Sequence, residues 1–507
     1  METQEFVSQV TGVPNNRINA RVKRMGGAFG GKESRSVPFA CLLAISAKKE
    51  RRPMRLMLNR DEDMMLSGQR HPIQVRWKVG VSNDGKILAL DADSYDNAGF
   101  SQDMSGAVMD RCITHLDNCY EIPNVYLRGH VCKTNTHSNT AFRGFGAPQA
   151  MFVTETILST VAEGLSGIDI DELRLKNLYK PGDRTPFFQQ IDEDWHIPTL
   201  LDQIRASSNY DSRKAKVAKF NESNKWKKRG ICLIPTKFGL SFATALHLNQ
   251  AGATVNIYAD GSVLLHHGGT EMGQGLYTKM CQVAAQELGV PMDSIYTHDS
   301  QTYQIANASP TAASSGSDLN GMAVKNACEI LNERLKPYRE KYGLDAPMKT
   351  IAHAAYFDRV NLAANGFWKM PKIGYQWGNT NVDTVKPMYY YFTQGVGVTE
   401  VELDLLTGDH TVLRTDIMMV SGASLSTYQA NDFNRMSANL SIQRSTMDKS
   451  KALSFKVRVS SQWKNLSGLA LASLRLVAPA LIKSLVSLIF RKSSMPACCD
   501  MTAKASP

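Results

Sequence analysis

The chain has 507 residues, of which 43% are hydrophobic and 21% charged, a composition typical of a folded protein. At roughly 150 residues per domain, the length predicts two to four domains. The formal net charge is +11, but most of the basic surplus lies after Ser426, so the body of the chain is nearly neutral. This distribution excludes a basic nucleic-acid-binding body, and we expect no nucleic-acid partner.

The nine cysteines include no C-x-x-C pair and no His/Cys cluster at zinc-ligand spacing. Neither a structural zinc site nor an iron-sulfur cluster is therefore predicted within this chain. The odd cysteine count and an N-terminus without the basic-then-apolar order of a secretory signal favour a cytoplasmic location. The first ten residues, METQEFVSQV, are instead predicted to be helical.

Period-two alternation of apolar residues predicts three β-hairpins. Apolar residues alternate from Ile73 to Val81 before a turn at Asp84-Gly85. The same pattern surrounds Asp260-Gly261 and Gly408-Asp409. Helical periodicity is predicted in the stretches after Pro148-Gln149, from Thr278 and from Gly321. Hairpins that alternate with helices indicate an α+β fold with mixed sheets.

A polar interruption at residues 183–230 marks a candidate domain boundary, and a basic tail follows residue 425. The tail contains the apolar stretch SGLALASLRLVAPALIKSLVSLIF, residues 467–490. Two internal charges, each costing roughly 2.5–3.5 kcal/mol in a membrane, and a proline disfavour a membrane span. A membrane-surface helix and sequence from a wrong reading frame are the alternatives.

The segment MGGAFGGKES, residues 25–34, contains G-x-x-x-x-G-K from Gly26 to Lys32. A phosphate-binding P-loop would continue with Ser or Thr, whereas Glu33 follows here and would repel phosphates. The segment is therefore either a tight packing turn or a loop that contacts a bulky, uncharged ligand.

Three further glycine-rich loops precede predicted helices at residues 139–150, 267–279 and 309–321. Each alone is a common structural turn. Because helix N-termini present free N–H groups, four such loops together favour a large ligand with many donors and acceptors, such as a pterin.

The segments RVKRMGGAFGGKESRS, NTAFRGFGAPQ, GGTEMGQGLYTKM and SPTAAS together resemble the molybdopterin-binding domain of the xanthine dehydrogenase and aldehyde oxidase family. The resemblance extends from about Thr3 to about Leu425. It implies two mixed α/β subdomains of the molybdenum hydroxylase large domain at residues 1–185 and 186–425, incomplete at the N- and C-terminus respectively. Residues 426–507 do not share the resemblance. Family enzymes are homodimers that also carry iron-sulfur clusters and FAD, which this chain is not expected to bind.

The resemblance implies molybdopterin with molybdenum as the cofactor. It places Phe29, Arg143 and Ala313 beside the metal, although none of them is a side-chain ligand. The remaining residues that it assigns to the cofactor are Gly27, Met272, Gly273, Gln274 and Ser314.

For the substrate, the resemblance implies two polar contacts, Glu33 and Arg111, and two aromatic ones, Phe145 face-on and Phe242 edge-on. Aldehyde oxidases have apolar residues at the two polar positions. The acid and cation therefore imply a purine, hypoxanthine or xanthine, that is hydroxylated with oxygen from water, as in purine catabolism. The alternatives are a surface glutamate, a structural ion pair and two ordinary core phenylalanines.

Two departures from the family pattern affect this interpretation. The sequence after Phe242 is one residue longer, so Ala243 or Thr244 stands where the family often has threonine. The general-base glutamate is not found, because similarity stops within VSGASLSTYQAND. A positioned base contributes typically 10²–10⁴ in rate. The chain is therefore either part of a molybdenum hydroxylase or a catalytically inactive fragment or pseudoenzyme.

Overall fold

The computed structural model describes residues 1–165 and 167–420, and the backbone of two short strands at 444–446 and 452–457. Apart from those strands, the tail at 426–507, including its apolar stretch 467–490, lies outside the described residues. Among the described residues, no helix combines the length and the apolar character needed to cross a membrane.

The described elements alternate between helices and strands, which confirms the predicted α+β class. The helices are α1 (Glu2–Thr11), α2 (Val37–Glu50), α3 (Arg60–Leu66), α4 (Ser105–Ile113), α5 (Ala147–Gly164), α6 (Ile170–Asn177), α7 (Ile197–Ser207), α8 (Tyr210–Ser223), α9 (Leu276–Leu288), α10 (Gly316–Tyr342) and α11 (Met348–Phe357). The strands are β1 (Arg21–Val22), β2 (Ile73–Val81), β3 (Ile87–Gly99), β4 (Asn124–Lys133), β5 (Lys227–Leu240), β6 (Gln250–Ile257), β7 (Val263–His267), β8 (Ile295–Thr297), β9 (Ser300–Gln301), β10 (Ala363–Lys369), β11 (Tyr391–Asp404), β12 (His410–Val420), β13 (Arg444–Thr446) and β14 (Ala452–Val457).

All three predicted hairpins are present as antiparallel pairs, β2–β3, β6–β7 and β11–β12. The predicted helices after Pro148 and from Thr278 correspond to α5 and α9. Helix α10 begins at Gly316, five residues before the position expected from the sequence. Asp318 lies in its first turn, where a carboxylate interacts favourably with the helix dipole.

The strands form a three-stranded sheet (β2-β3-β4), a four-stranded sheet (β10-β6-β7-β8), a five-stranded sheet (β13-β14-β12-β11-β5) and the small pair β1-β9. Helices α9, α10 and α11 cover the four-stranded sheet and share a core with it. A second core joins β3, α5 and α7 to the five-stranded sheet. Leu200 of α7 and Val398 of β11, for example, are both buried in it.

The polar region 183–230 thus contains two helices, α7 and α8. The second core includes residues from both sides of residue 185. The two proposed subdomains are therefore joined by packing as well as by the chain.

Helix α2 is unusual because its sequence VPFACLLAISA is apolar, yet only Val37 is buried. Leu42 and Ile45 remain 56% and 45% exposed. Met57 and Met64, in the segment that follows, are also exposed. We call these four residues, Leu42, Ile45, Met57 and Met64, the α2 face.

Candidate functional site

Loop one, residues 25–34, lies directly against loop two, residues 139–150. The main-chain N–H of Arg143 donates a 2.8 Å hydrogen bond to the carbonyl oxygen of Phe29. A Cβ placed on Gly30 would lie 2.5 Å from the carbonyl oxygen of Ala141. The close approach of the two loops therefore requires glycine at position 30.

Asp103 also holds these loops together. Its carboxylate accepts hydrogen bonds from the hydroxyls of Ser34 (2.8 Å) and Thr140 (3.1 Å), and it pairs with Arg35 at 3.3 Å. Asp103 could not be identified from the sequence, because no local motif relates it to loops that lie on either side of it in the chain.

Loop three, residues 267–279, reaches loop one through the main chain. The N–H of Met25 donates to the carbonyl oxygen of Glu271 at 3.0 Å. The Glu271 carboxylate accepts from the N–H groups of Gly273 (2.8 Å), Gly275 (3.1 Å) and Tyr277 (3.1 Å). Glu271 thus satisfies the free donors at the start of α9, where a negative charge is also favourable.

Gln274 stabilises loop three through hydrogen bonds within the loop. Its amide oxygen accepts from the N–H of Met272 (2.6 Å), and its amide nitrogen donates to the carbonyl of Thr270 (2.8 Å). The N–H of Thr270 donates in turn to the hydroxyl of Thr311 at 2.8 Å. Loop three is therefore bound to loop four, residues 309–321.

In loop four, Ala313 and Ser314 have left-handed backbones, with φ of 54° and 60°. Two successive non-glycine residues in this region are strained, and such strain concentrates at binding sites.

Loops two and three share a different backbone feature. Phe145 and Gln274 each lie between two glycines with φ of 73–97°, immediately before α5 and α9. The two loops thus share the flanking glycines, whereas Phe145 itself is left-handed, with φ of 51°, and Gln274 is not.

Arg111 lies on α4 and is only 4% exposed. It donates to the carbonyl oxygens of Gly239 (2.7 Å) and Ser241 (2.6 Å). Its Cζ lies 5.1 Å and 5.2 Å from the ring centroids of Phe238 and Tyr389. Burial lowers the pKa of Arg111.

The other buried cations of the described residues have carboxylate partners. Arg174 and Arg213 each pair with two acids, and Lys237 pairs with Asp117. Within the described part of the chain, Arg111 is the one buried cation that has no carboxylate within ion-pair distance. Because main-chain carbonyls do not neutralise its charge, Arg111 is suited to receive an anion from outside the protein.

Glu33 is partly buried in loop one. Desolvation, followed by the nearby negative charges of Glu2 and Asp103, raises the pKa of Glu33 to about 7. Within the described residues, no hydrogen-bond donor reaches its carboxylate. At neutral pH, Glu33 therefore exists in both protonation states and can either donate or accept a hydrogen bond.

Phe145, Arg111 and Phe242 come from three segments in contact. A Cβ on Gly146 would lie 2.2 Å from the carbonyl oxygen of Val108, so loop two packs on α4. Arg111 on α4 in turn binds the carbonyl of Ser241, next to Phe242. Both phenylalanines are partly buried.

The segment that follows Phe242 forms a turn. The N–H of Phe242 donates to the side chain of Asn249 at 2.8 Å. Ala243 is buried and left-handed, with φ of 40°, whereas Thr244 is partly exposed. The residue that follows the ring is therefore a buried methyl group with no hydroxyl.

The four loops fit a flat, polar cofactor. The Phe29 ring, 46% exposed, lies over Gly27, where a Cβ would be 2.6 Å from the ring. Gly273 has φ of 96° and open space where a side chain would be, so its backbone is accessible. A half-exposed ring among accessible glycine amides is suited to a planar group with many hydrogen-bonding atoms.

Two family models, both described as molybdopterin cofactor-binding domain, match residues 1–178 and 203–430. The chain belongs to the molybdopterin-binding family of xanthine dehydrogenases and aldehyde oxidases. Molybdopterin with molybdenum is accordingly the cofactor of this fold. The assignments of individual loop residues to the cofactor remain predictions.

Within this family, the chain is 70% identical over 427 residues to nicotinate hydroxylase hnxS of Emericella nidulans, covering 84% of this chain and 32% of the relative. It is 57% identical over 424 residues to xanthine dehydrogenase of the same organism, covering 84% and 30%. The aldehyde oxidoreductase structure from Desulfovibrio gigas matches with a TM-score of 0.70 at 28% identity, covering 81% of this chain and 43% of that one. The chain spans about a third of the length of these curated relatives.

Proposed function

We propose that the chain forms the molybdopterin-binding part of an enzyme that hydroxylates a negatively charged nitrogen heteroaromatic compound, with nicotinate as the leading candidate. The overall reaction converts a ring C–H and water into C–OH, two protons and two electrons. The bound molybdenum cofactor supplies the two-electron acceptor. The electrons then leave to an acceptor outside this chain.

The observation that carries this proposal is the buried guanidinium of Arg111, which has no carboxylate partner in the part of the chain that the structure describes. A carboxylate on a pyridine ring forms a charge-assisted hydrogen bond with such a group, and the bond is strong because the site is shielded from water. The 70% identity to a nicotinate hydroxylase supports the same substrate class.

The other residues have roles that follow from their chemistry. Phe145 and Phe242 offer ring surfaces between which a flat heterocycle can stack. Glu33, with a pKa raised to about 7, can donate a hydrogen bond to a ring nitrogen or accept one from a ring N–H. Together they would orient the ring while Arg111 binds its charge.

A purine substrate is the second candidate. The acid and cation pair, Glu33 and Arg111, would match the donors and carbonyl acceptors of hypoxanthine or xanthine. The 57% identity to a xanthine dehydrogenase favours this reading, although it is lower than the identity to the nicotinate enzyme.

We also propose a cytoplasmic location. The seven cysteines within the described residues are all free thiols. Unpaired cysteines in this number are typical of a reducing compartment.

The experiment loads the full chain with molybdopterin and molybdenum, then measures hydroxylation of nicotinate and hypoxanthine with an artificial electron acceptor. Because no general-base glutamate is identified in the sequence, turnover is expected to be slow, with a higher kcat/KM for nicotinate than for hypoxanthine. The reverse order would establish the purine alternative. Stoichiometric molybdenum without turnover of either would identify an inactive cofactor-binding protein. A chain that takes up no molybdenum would contradict the proposal.

Arg111→Met provides the site-specific test. We expect it to raise the KM for nicotinate at least about tenfold, since charged hydrogen bonds contribute about 1.5–3 kcal/mol. Arg205→Met is the matched control, because Arg205 pairs with Asp211 at an exposed position. Equal effects of the two substitutions would contradict the assignment of Arg111.

A further inference from the structure

Tyr389 is fully buried and presents its ring to Arg111, at 5.2 Å from the guanidinium carbon. The face of an aromatic ring carries partial negative charge and attracts a cation, most strongly where water is excluded. Unlike a carboxylate, the ring does not neutralise the guanidinium. Arg111 can therefore be held in place while its charge remains available.

The Tyr389 hydroxyl connects this ring to the helix that carries Arg111. It hydrogen-bonds to the hydroxyl of Thr114 at 2.7 Å. Thr114 follows the last residue of α4 and lies three residues after Arg111. Thr114 also donates towards the carbonyl oxygens of Asp110 and Arg111, so the ring is bound to the same turn that supports the guanidinium.

The opposite edge of Tyr389 is equally constrained. A Cβ on Gly239 would lie 2.3 Å from the ring, so the strand that binds Arg111 lies directly on it. The side chain of Gln189 accepts from the Tyr389 N–H (3.0 Å) and donates to its carbonyl oxygen (2.9 Å). The position of Tyr389 is thus fixed by Thr114 at the hydroxyl, by Gly239 against the ring and by Gln189 at the main chain.

We propose that Tyr389 is a positioning residue for Arg111: its ring holds the guanidinium in place, and its hydroxyl, through Thr114, fixes the ring. The inference rests on the proposed role of Arg111 as the contact for an anionic substrate. An ordinary core aromatic, such as Tyr375 in the same apolar cluster, would contribute only to stability.

The first test needs no ligand. Unfolding equilibria of the full chain are measured for Arg111→Met, Tyr389→Leu and the double variant. The expected coupling is about tenfold or more in the unfolding equilibrium constant, within the range for desolvated cation–π pairs. The matched cycle of Arg111→Met with Tyr375→Leu is expected to be additive within about twofold. Additivity in both cycles would overturn the proposal.

The second test replaces Tyr389 with phenylalanine and its mono-, di- and trifluorinated forms. These variants share the ring shape and all lack the hydroxyl, so they are compared with one another and not with tyrosine. Calorimetry on the full chain then compares nicotinate with the neutral nicotinamide. Progressive fluorination reduces the negative electrostatic potential on the face of the ring. The dissociation constant of nicotinate should therefore rise stepwise, while that of nicotinamide changes less than about twofold. Parallel changes for both ligands would reject a positioning role.

The experiments distinguish failure of the substrate proposal from failure of the Tyr389 proposal. If the wild-type chain binds no nicotinate while the first cycle still shows coupling, the substrate assignment is wrong and the link between Tyr389 and Arg111 stands. If nicotinate binds but neither test shows an effect of the ring, the substrate assignment stands and Tyr389 is structural.

Discussion

The main-chain N–H of Met25 hydrogen-bonds to the main-chain carbonyl of Glu271 at 3.0 Å. The two residues lie in different halves of the chain, one in loop one and the other in loop three. The pairing of β1 with β9, in which Val22 faces Ser300, supports the same junction. The candidate cofactor site is therefore assembled across the halves, and a change in one loop should be transmitted to the other.

Glu271→Ala should destabilise loop three. It leaves three N–H groups at the start of α9 without their acceptor, and we expect a loss of about 2–3 kcal/mol in the free energy of unfolding. Chemical denaturation measures the loss, and molybdenum content after cofactor loading should fall in parallel.

Glu271→Gln is the matched variant. Its amide oxygen can still accept from Gly273 and Gly275, but its amide nitrogen cannot accept from Tyr277. The loss should therefore be smaller than for alanine. Equal stability of all three proteins would show that the Glu271 carboxylate does not order this loop.

Gly30→Ala should separate loops one and two. The new Cβ would lie 2.5 Å from a carbonyl oxygen, and Gly30 has φ of 96°, so we expect a destabilisation of at least about 2 kcal/mol. Gly26→Ala is the control, because a Cβ there meets nothing within 4 Å. Similar melting temperatures for the two variants would contradict the close contact.

Glu33→Gln should change the pH dependence of stability. The folded-state pKa of Glu33 is raised to about 7 from 4.5, so ionisation costs more in the folded than in the unfolded chain. Wild-type stability should therefore fall as the pH rises from about 4.5 to 7 and then level off. The Gln variant lacks this cost. The difference in the free energy of unfolding, variant minus wild type, should therefore increase by about 2 kcal/mol from pH 5 to pH 8.

Denaturant titrations at those two pH values measure this difference. The exposed Glu193→Gln provides the reference. An equal difference from wild type at both pH values would mean that Glu33 is not desolvated.

Lys237→Met should be strongly destabilising. Lys237 is fully buried and lies 2.7 Å from Asp117, which also accepts from the Tyr179 hydroxyl at 2.8 Å. Removing the cation leaves a buried carboxylate unpaired, at a cost of about 3–5 kcal/mol.

The loss should be smaller at pH 5 than at pH 8, because burial raises the pKa of Asp117 and the unpaired carboxyl would take up a proton. The double variant with Asp117→Asn removes both charges and should recover part of the stability. A double variant less stable than Lys237→Met would contradict this explanation.

The local part of this architecture was predictable from the sequence. Asp84-Gly85 and Asp260-Gly261 predict hairpin turns, because the conformation of a turn depends on the residues within it. The glycine-rich loops were recognisable for the same reason, since a left-handed backbone at Gly144 or Gly273 requires a residue without a side chain.

The long-range part was not predictable. Strand β5 pairs with β11 in a register that places Lys227 opposite Asp404, and nothing local to either strand specifies the other. The carbonyl partners of Arg111 depend on this pairing, so the absence of a carboxylate partner among the described residues could not be inferred either. Glu271 did carry a signal, an acid two residues before a Gly-X-Gly helix start, which can be interpreted as an internal helix cap.

The α2 face has a practical consequence for work with the isolated polypeptide. Leucine, isoleucine and methionine side chains that remain in water favour association, because each contact between copies removes apolar surface from solvent. Purified material should therefore sediment as concentration-dependent assemblies, and Leu42→Glu together with Ile45→Lys should shift them to monomers without altering the loops at Gly30 and Glu271.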